Sequence, residues 1–218
     1  MYNECIFLLQ TIFICSSALI ALKLGEQALV ALICVATLLA NLFVLKQIPL
    51  FGLTVTATDA YSIGVMFSFN MLQEYFGKKA AQKALWISMS MFGAYAVLSL
   101  LHLAYQPSVA DTMHSYYAAI LPAMPRLLFA SLTAYTISIR FDRFLYGILQ
   151  RKTAGKHFVL RNYASLLISQ LLDTALFSLL GLYGTVTHIG HIILVSYSIK
   201  ITSIAFTTPF LVLAKKIR

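Results

Sequence analysis

Two ionisable side chains stand in the middle of apolar runs. Asp173 lies about nine residues into the run 164–183, and Lys200 about nine residues into the run 191–214. Gln170, Asp173, Thr174 and Phe177 follow i, i+3, i+4 and i+7, a spacing that places them on one face of a helix. Ser196, Lys200, Ser203 and Thr207 share a face of the next run, with Tyr197 beside it. A carboxylate accepts hydrogen bonds, an ammonium donates them, and amides and hydroxyls do both. Such groups can hold a polar ligand, or one ion pair can simply join two helices. The polar positions outnumber what one pair uses, which favours the ligand.

Other polar groups have two readings. Asn70 and Glu74 are i, i+4, with Gln73 beside them. They could face a ligand, or Glu74 could be a helix-end carboxylate paired with Lys78. Arg126 follows Pro122 and Pro125. It could face a cavity or snorkel to the interface. Asp59 reads as a helix N-cap. Ala130, Ser131, Ala134 and Ser138 read as small-residue helix contacts. His188 and His191 have no carboxylate or cysteine near them, which makes a poor metal site. Cys5, Cys15 and Cys34 show no metal-ligand or redox spacing. No nucleophile elbow, zinc-protease, phosphate-loop or dinucleotide motif occurs. The expectation is a non-enzyme with no cofactor and no metal.

Apolar residues make up 60% of the 218 and charged residues 11%, with a mean hydropathy of +0.84. A soluble domain of this size cannot bury that much apolar surface. The fold class expected is all-α: a polytopic helical integral membrane protein, a single domain over 1–218, with about six to seven transmembrane helices. The segments are 5–22, 28–45, 60–76, 84–104, 121–145, 164–183 and 191–214. Their length and lack of a two-residue period exclude a barrel. The first run lacks a basic leader and a small-residue cleavage site, so it is expected to be retained.

A net charge of +9 in a soluble chain would suggest nucleic acid. Here the positives sort by topology. Lys23; Lys78, Lys79 and Lys83; Arg140, Arg143, Arg151, Lys152, Lys156 and Arg161; and Lys215, Lys216 and Arg218 all fall on one side. The other side has Lys46, with Arg126 just inside the fifth run. The bias puts the C-terminus in the cytoplasm. The basic loop 140–161 reads as topology and lipid contact, and no nucleic-acid partner is expected.

Four stretches carry a resemblance. They are Asn41-Leu-Phe-Val-Leu-Lys46 with Phe51-Gly52; Asn70-Met-Leu-Gln-Glu74-Tyr-Phe-Gly77-Lys78-Lys79-Ala80; Arg126 with Ser131, Ala134, Asp142 and Phe144; and Arg161-Asn162, Ser165, Ser169-Gln170, Asp173-Thr174 and Phe177, followed by Lys200 and Pro209. With these the chain resembles the queuosine precursor transporter family, also called the vitamin uptake transporter family. The family has Asp where this chain has Asn70, so a contact there would be neutral.

The resemblance implies a bacterial inner-membrane importer of 7-deazaguanine bases: queuine, or its 7-cyano or 7-aminomethyl precursors. Partners would be a purine-like small molecule and the lipid bilayer, with self-association left open. The binding residues expected are Asn70, Glu74, Arg126, Gln170, Asp173, Phe177, Tyr197 and Lys200. Asp173 would accept from N1–H and the 2-amino group, amides would read O6, and Phe177 and Tyr197 would stack on the ring. Glu74 would meet a cationic aminomethyl group. The alternatives are a substrate-binding subunit of an ATPase-driven vitamin importer and a structural or assembly membrane protein.

Overall fold

The computed structural model describes residues 2–152 and 158–214, with the backbone alone at 143, 146, 150, 158–163 and 203–214. Lys156, Lys215, Lys216 and Arg218 of the basic stretches lie outside the described residues. The side chains of Arg143, Arg161, Asn162, Ser203, Thr207 and Pro209 do too.

Among the described residues eight α-helices dominate: α1 (Tyr2–Leu24), α2 (Glu26–Phe43), α3 (Asp59–Phe76), α4 (Lys78–Leu103), α5 (His114–Ile120), α6 (Met124–Lys152), α7 (Phe158–Phe177) and α8 (Ile189–Ala214). Gly25 (φ 109°) and Gly77 (φ 90°) form the corners between α1 and α2 and between α3 and α4. Side chains with a Cβ avoid that backbone region, so these corners stop each helix where the next begins.

Among the described residues five helical stretches are long and apolar enough to cross a membrane. The protein is a polytopic helical membrane protein. Its burial differs from that of a soluble fold. Small or hydroxylated residues such as Ala18, Ala21, Ser88, Ser99 and Ser138 are buried, whereas Leu8, Phe13, Ile20, Leu98, Leu101 and Phe129 are exposed. Lipid removes the hydrophobic drive to bury large chains, so helices meet through small ones. Gly64 of α3 shows how close they come: a Cβ there would lie 2.6 Å from Ile14 Cδ1 of α1.

Two regions differ from expectation. Residues 46–59, which fall between the second and third expected segments, hold an antiparallel hairpin, β1 (Gln47–Leu50) and β2 (Leu53–Thr56), in register Gln47↔Thr56 and Leu50↔Leu53. Its two-residue turn, Phe51-Gly52, has φ of 52° and 78°. Two positive φ values are what a type I′ hairpin turn requires. The hairpin is tied to α1, where Asn3 Nδ2 donates to the Pro49 carbonyl (2.8 Å) and the Phe51 amide donates to Glu4 Oε1 (3.0 Å). It is also tied to the α7–α8 connection, where Thr187 N and Oγ1 donate to Gln47 Oε1 (3.2 and 2.9 Å).

The second difference lies before α6. The stretch between the fourth and fifth expected segments carries α5, which leads into a 3₁₀ turn at Leu121–Ala123. Pro122 sits in that turn and Pro125 in the first turn of α6, where a missing N–H breaks no helical bond.

α3 packs against α1, α2, α4 and α8, while α6 lies along α7. One apolar cluster joins α1, α2, α3 and α4 through Leu22, Leu29, Ile33, Phe67 and Met71. A second joins the hairpin, α4, α6 and α8 through Val55, Phe92, Met124, Leu127 and Ile192. The polar groups of α3, α7 and α8 face the space that these clusters frame.

Candidate functional site: a polar cavity between the helices

A cavity of about 170 Å³ opens between α3, α6, α7, α8 and the hairpin. Thr56 of β2, Thr58, Asp59 and Ser62 of α3, and Ser131 and Ala134 of α6 line it. Asp173, Thr174 and Phe177 of α7, Ser178 and Leu182, and Ile192, Ser196 and Lys200 of α8 complete the wall, with Val44 just past α2. α7 ends in a π turn at Ser178–Leu182. Such widened turns interrupt the i→i−4 ladder and frequently mark functional sites; here both ends of the turn contribute to the wall.

Lys200 Nζ donates to Asp173 Oδ2 at 2.8 Å. Their side chains are 17% and 26% exposed, respectively, so the pair is neither in bulk water nor sealed in a dry core. Solvent screening is reduced there, and both residues line the cavity. Thr174 turns its hydroxyl back to the Gln170 carbonyl (2.8 Å). Phe177 presents an aromatic ring in the same wall.

The cavity gathers Asp173, Phe177 and Lys200 from the expected set and leaves the other five off its wall. Gln170 is half-buried one turn from Thr174. Tyr197 is half-buried and donates to the Leu167 carbonyl at 3.1 Å, so its hydroxyl clips α8 to α7. Asn70 is half-buried and Glu74 exposed. They lie two to three turns past Ser62 on α3, roughly 12 Å or more along the axis, which puts them at the far end of that helix. Arg126 is exposed; its Nε donates to the Leu180 carbonyl (2.8 Å) and its Nη2 to the Tyr183 carbonyl (2.6 Å). Those carbonyls lie in and just after the π turn, where regular helical partners are lost, so Arg126 braces that turn. We expect Arg126→Ala to lower the thermal stability of the purified protein by a few degrees. The affinity of the folded fraction for ligand should change less than about threefold; a tenfold loss of affinity would make Arg126 a contact.

Thr56, Thr58, Asp59 and Ser62 came into the site unforeseen. Asp59 is not the N-cap expected. Thr58 precedes the helix, and Asp59 is its first residue. No side-chain hydrogen bond caps the helix end, and the Asp59 Oδ1 accepts from Ser196 Oγ of α8 at 2.7 Å. The run Thr56-Ala-Thr58-Asp59 was a visible cluster of oxygen donors, but nothing local said that a hairpin would fold it against α8. Ser196 was visible, because it shares a helical face with Lys200.

Lipid-length helices around a polar, ion-paired cavity define a multi-pass helical membrane protein with room for a small solute. A family model described as "Putative vitamin uptake transporter" matches residues 50–214. A "Probable queuosine precursor transporter" of Bacillus subtilis (strain 168) is 31% identical over 196 residues, which cover 88% of this chain and 85% of that protein. No solved structure matches. The chain belongs to the vitamin uptake transporter family.

Proposed function

We propose that the protein imports a queuosine precursor, a 7-deazaguanine base, across a bacterial inner membrane into the cytoplasm. The observation that carries this reading is the Lys200–Asp173 pair in the wall of the central cavity. The printed name of the 31% identical relative supplies the substrate class. The positive-inside bias of the loops supports a cytoplasmic C-terminus.

A 7-deazaguanine ring offers N1–H and a 2-amino group side by side. A carboxylate accepts from both, as it does from the parallel donors of arginine. Asp173 is that acceptor in our reading. Lys200 holds it in place through their 2.8 Å hydrogen bond, and Phe177 stacks on the ring. The hydroxyls of Ser131, Thr174, Ser178 and Ser196 complete a polar lining. Buried polar groups reject a mismatched ligand strongly, because it leaves them unpaired. The cavity volume lies below the ~300–1,000 Å³ of drug-sized sites, which suits a compact bicyclic base. The chain binds and moves this base without altering it.

The test uses a bacterial host that lacks both its own synthesis of the base and its own importer. Expression of this chain should restore queuosine in tRNA when the 7-cyano base, the 7-aminomethyl base or queuine is supplied at sub-micromolar concentration. No restoration with any of the three, with the protein present in the membrane, would reject the function.

A further inference from the structure

Asp59 is only 5% exposed. Its Oδ1 has the Ser196 hydroxyl, and its Oδ2 is buried without a hydrogen-bond partner. A carboxylate oxygen left so is costly. Asp59 also stands where two cavities meet. With Thr56 it lines the central cavity and a second one of about 410 Å³, which is walled by α1, the end of α2, the hairpin and the start of α3.

The charges around it do not balance. Asp59, Asp173 and Lys200 line the central cavity, and Lys200 is engaged with Asp173. Lys46 lines the second cavity but is exposed. No ion pair reaches Asp59 among the described residues. Hydroxyl oxygens of Thr56, Thr58, Ser62 and Ser196 share the wall with it, and Thr56 and Thr58 hydroxyls lie 3.1 Å apart. An orphaned carboxylate oxygen among hydroxyls is a receptor for a compact positive charge. A protonated amine supplies three donors to such oxygens, and a hard metal ion prefers oxygen ligands.

We propose that Asp59 seats one positive charge that enters the cavity, carried by the substrate's protonated amine or by an alkali-metal ion moving with it. This deepens the transporter reading and rests on it. Asp173 reads the guanine-like edge, and Asp59 reads the charge. The aminomethyl group expected at Glu74 would then meet Asp59 instead.

Uptake of the 7-aminomethyl and 7-cyano bases is compared in sodium and in choline medium, for the wild type and for Asp59→Asn. Membrane levels are measured alongside. Loss of aminomethyl uptake by tenfold or more, with cyano uptake within threefold of wild type, places the charge on the substrate. A tenfold sodium stimulation of both bases in the wild type that vanishes in Asp59→Asn places it on a metal ion. Unchanged uptake of both bases by Asp59→Asn overturns the proposal, and so does an equal loss of both without sodium dependence in the wild type. If the wild type takes up neither base, the comparison does not read Asp59, and the transporter reading itself fails where queuine is not taken up either. The charge site is then decided on purified full-length protein, as it also is if Asp59→Asn does not reach the membrane. Sodium chloride or methylammonium chloride should raise the unfolding temperature by several degrees over choline chloride; no rise with either cation overturns the proposal.

Discussion

Asp173→Asn is expected to lower uptake on the order of 100-fold while the protein reaches the membrane at its normal level. Asn keeps the size of Asp173 but replaces one acceptor oxygen by a donor. In the proposed binding mode that donor would face N1–H or the 2-amino group of the base, where an acceptor is needed. It also leaves Lys200 without the carboxylate that now accepts its hydrogen bond at 2.8 Å. Hydrogen bonds to a charged group contribute about 1.5–3 kcal/mol each, and about 1.4 kcal/mol corresponds to tenfold. Loss of two such bonds at the lower end of that range, about 3 kcal/mol together, gives the stated order.

A purely structural pair would behave differently. Replacing both members of a buried pair by apolar residues is often neutral or stabilising. The double variant Asp173→Leu, Lys200→Met should therefore recover much of the thermal stability lost in either single variant. Because both side chains are partly exposed, the stability effects should be modest, since exposed ion pairs contribute little. Uptake should stay absent in the double variant. Recovery of uptake together with stability would reduce the pair to a helix clip.

Ser131→Phe should abolish uptake to a similar degree without touching a charge. Ser131 is half-buried on α6 and lines the cavity. A phenyl ring there fills the void that the base would occupy. Overpacking a filled core costs roughly 1–3 kcal/mol, but here the added ring enters open space, so the fold should tolerate it. Ser131→Ala, which keeps the void, should stay within about threefold of wild-type uptake. The informative readout is the contrast between the two variants at equal membrane abundance. Equal uptake by both would place the ligand elsewhere.

The helices were readable because lipid makes a long apolar run almost self-explanatory. The meeting of Asp173 and Lys200 was readable for a second reason. Consecutive antiparallel helices with a short connection bring residues of similar depth together, and i, i+3, i+4 spacing fixes the faces. Asp59 was not readable in the same way. Its position depends on the hairpin, whose strands span only four residues each and whose turn uses Phe51-Gly52 rather than the Asn-Gly or Asp-Gly of most type I′ turns. An acidic residue just before an apolar run reads as a cap from sequence alone. Only the packing of α3 on α8 shows that its oxygen reaches Ser196 instead. Asn70 and Glu74 illustrate the converse limit. Their i, i+4 spacing places them correctly on one helix, but spacing cannot say at which end of that helix the cavity lies. Arg126 had two readings that sequence could not separate. The π turn that it braces is a departure from helical regularity that no local pattern announces.

The most direct measurement is a structure of the full chain with 7-aminomethyl-7-deazaguanine bound. The base should lie between α3, α7 and α8, with a carboxylate oxygen of Asp173 within hydrogen-bond distance of N1 or the 2-amino nitrogen, and the Phe177 ring against its face. A base seated at the Asn70–Glu74 end of α3, or one that leaves Asp173 and Lys200 untouched, would contradict the account.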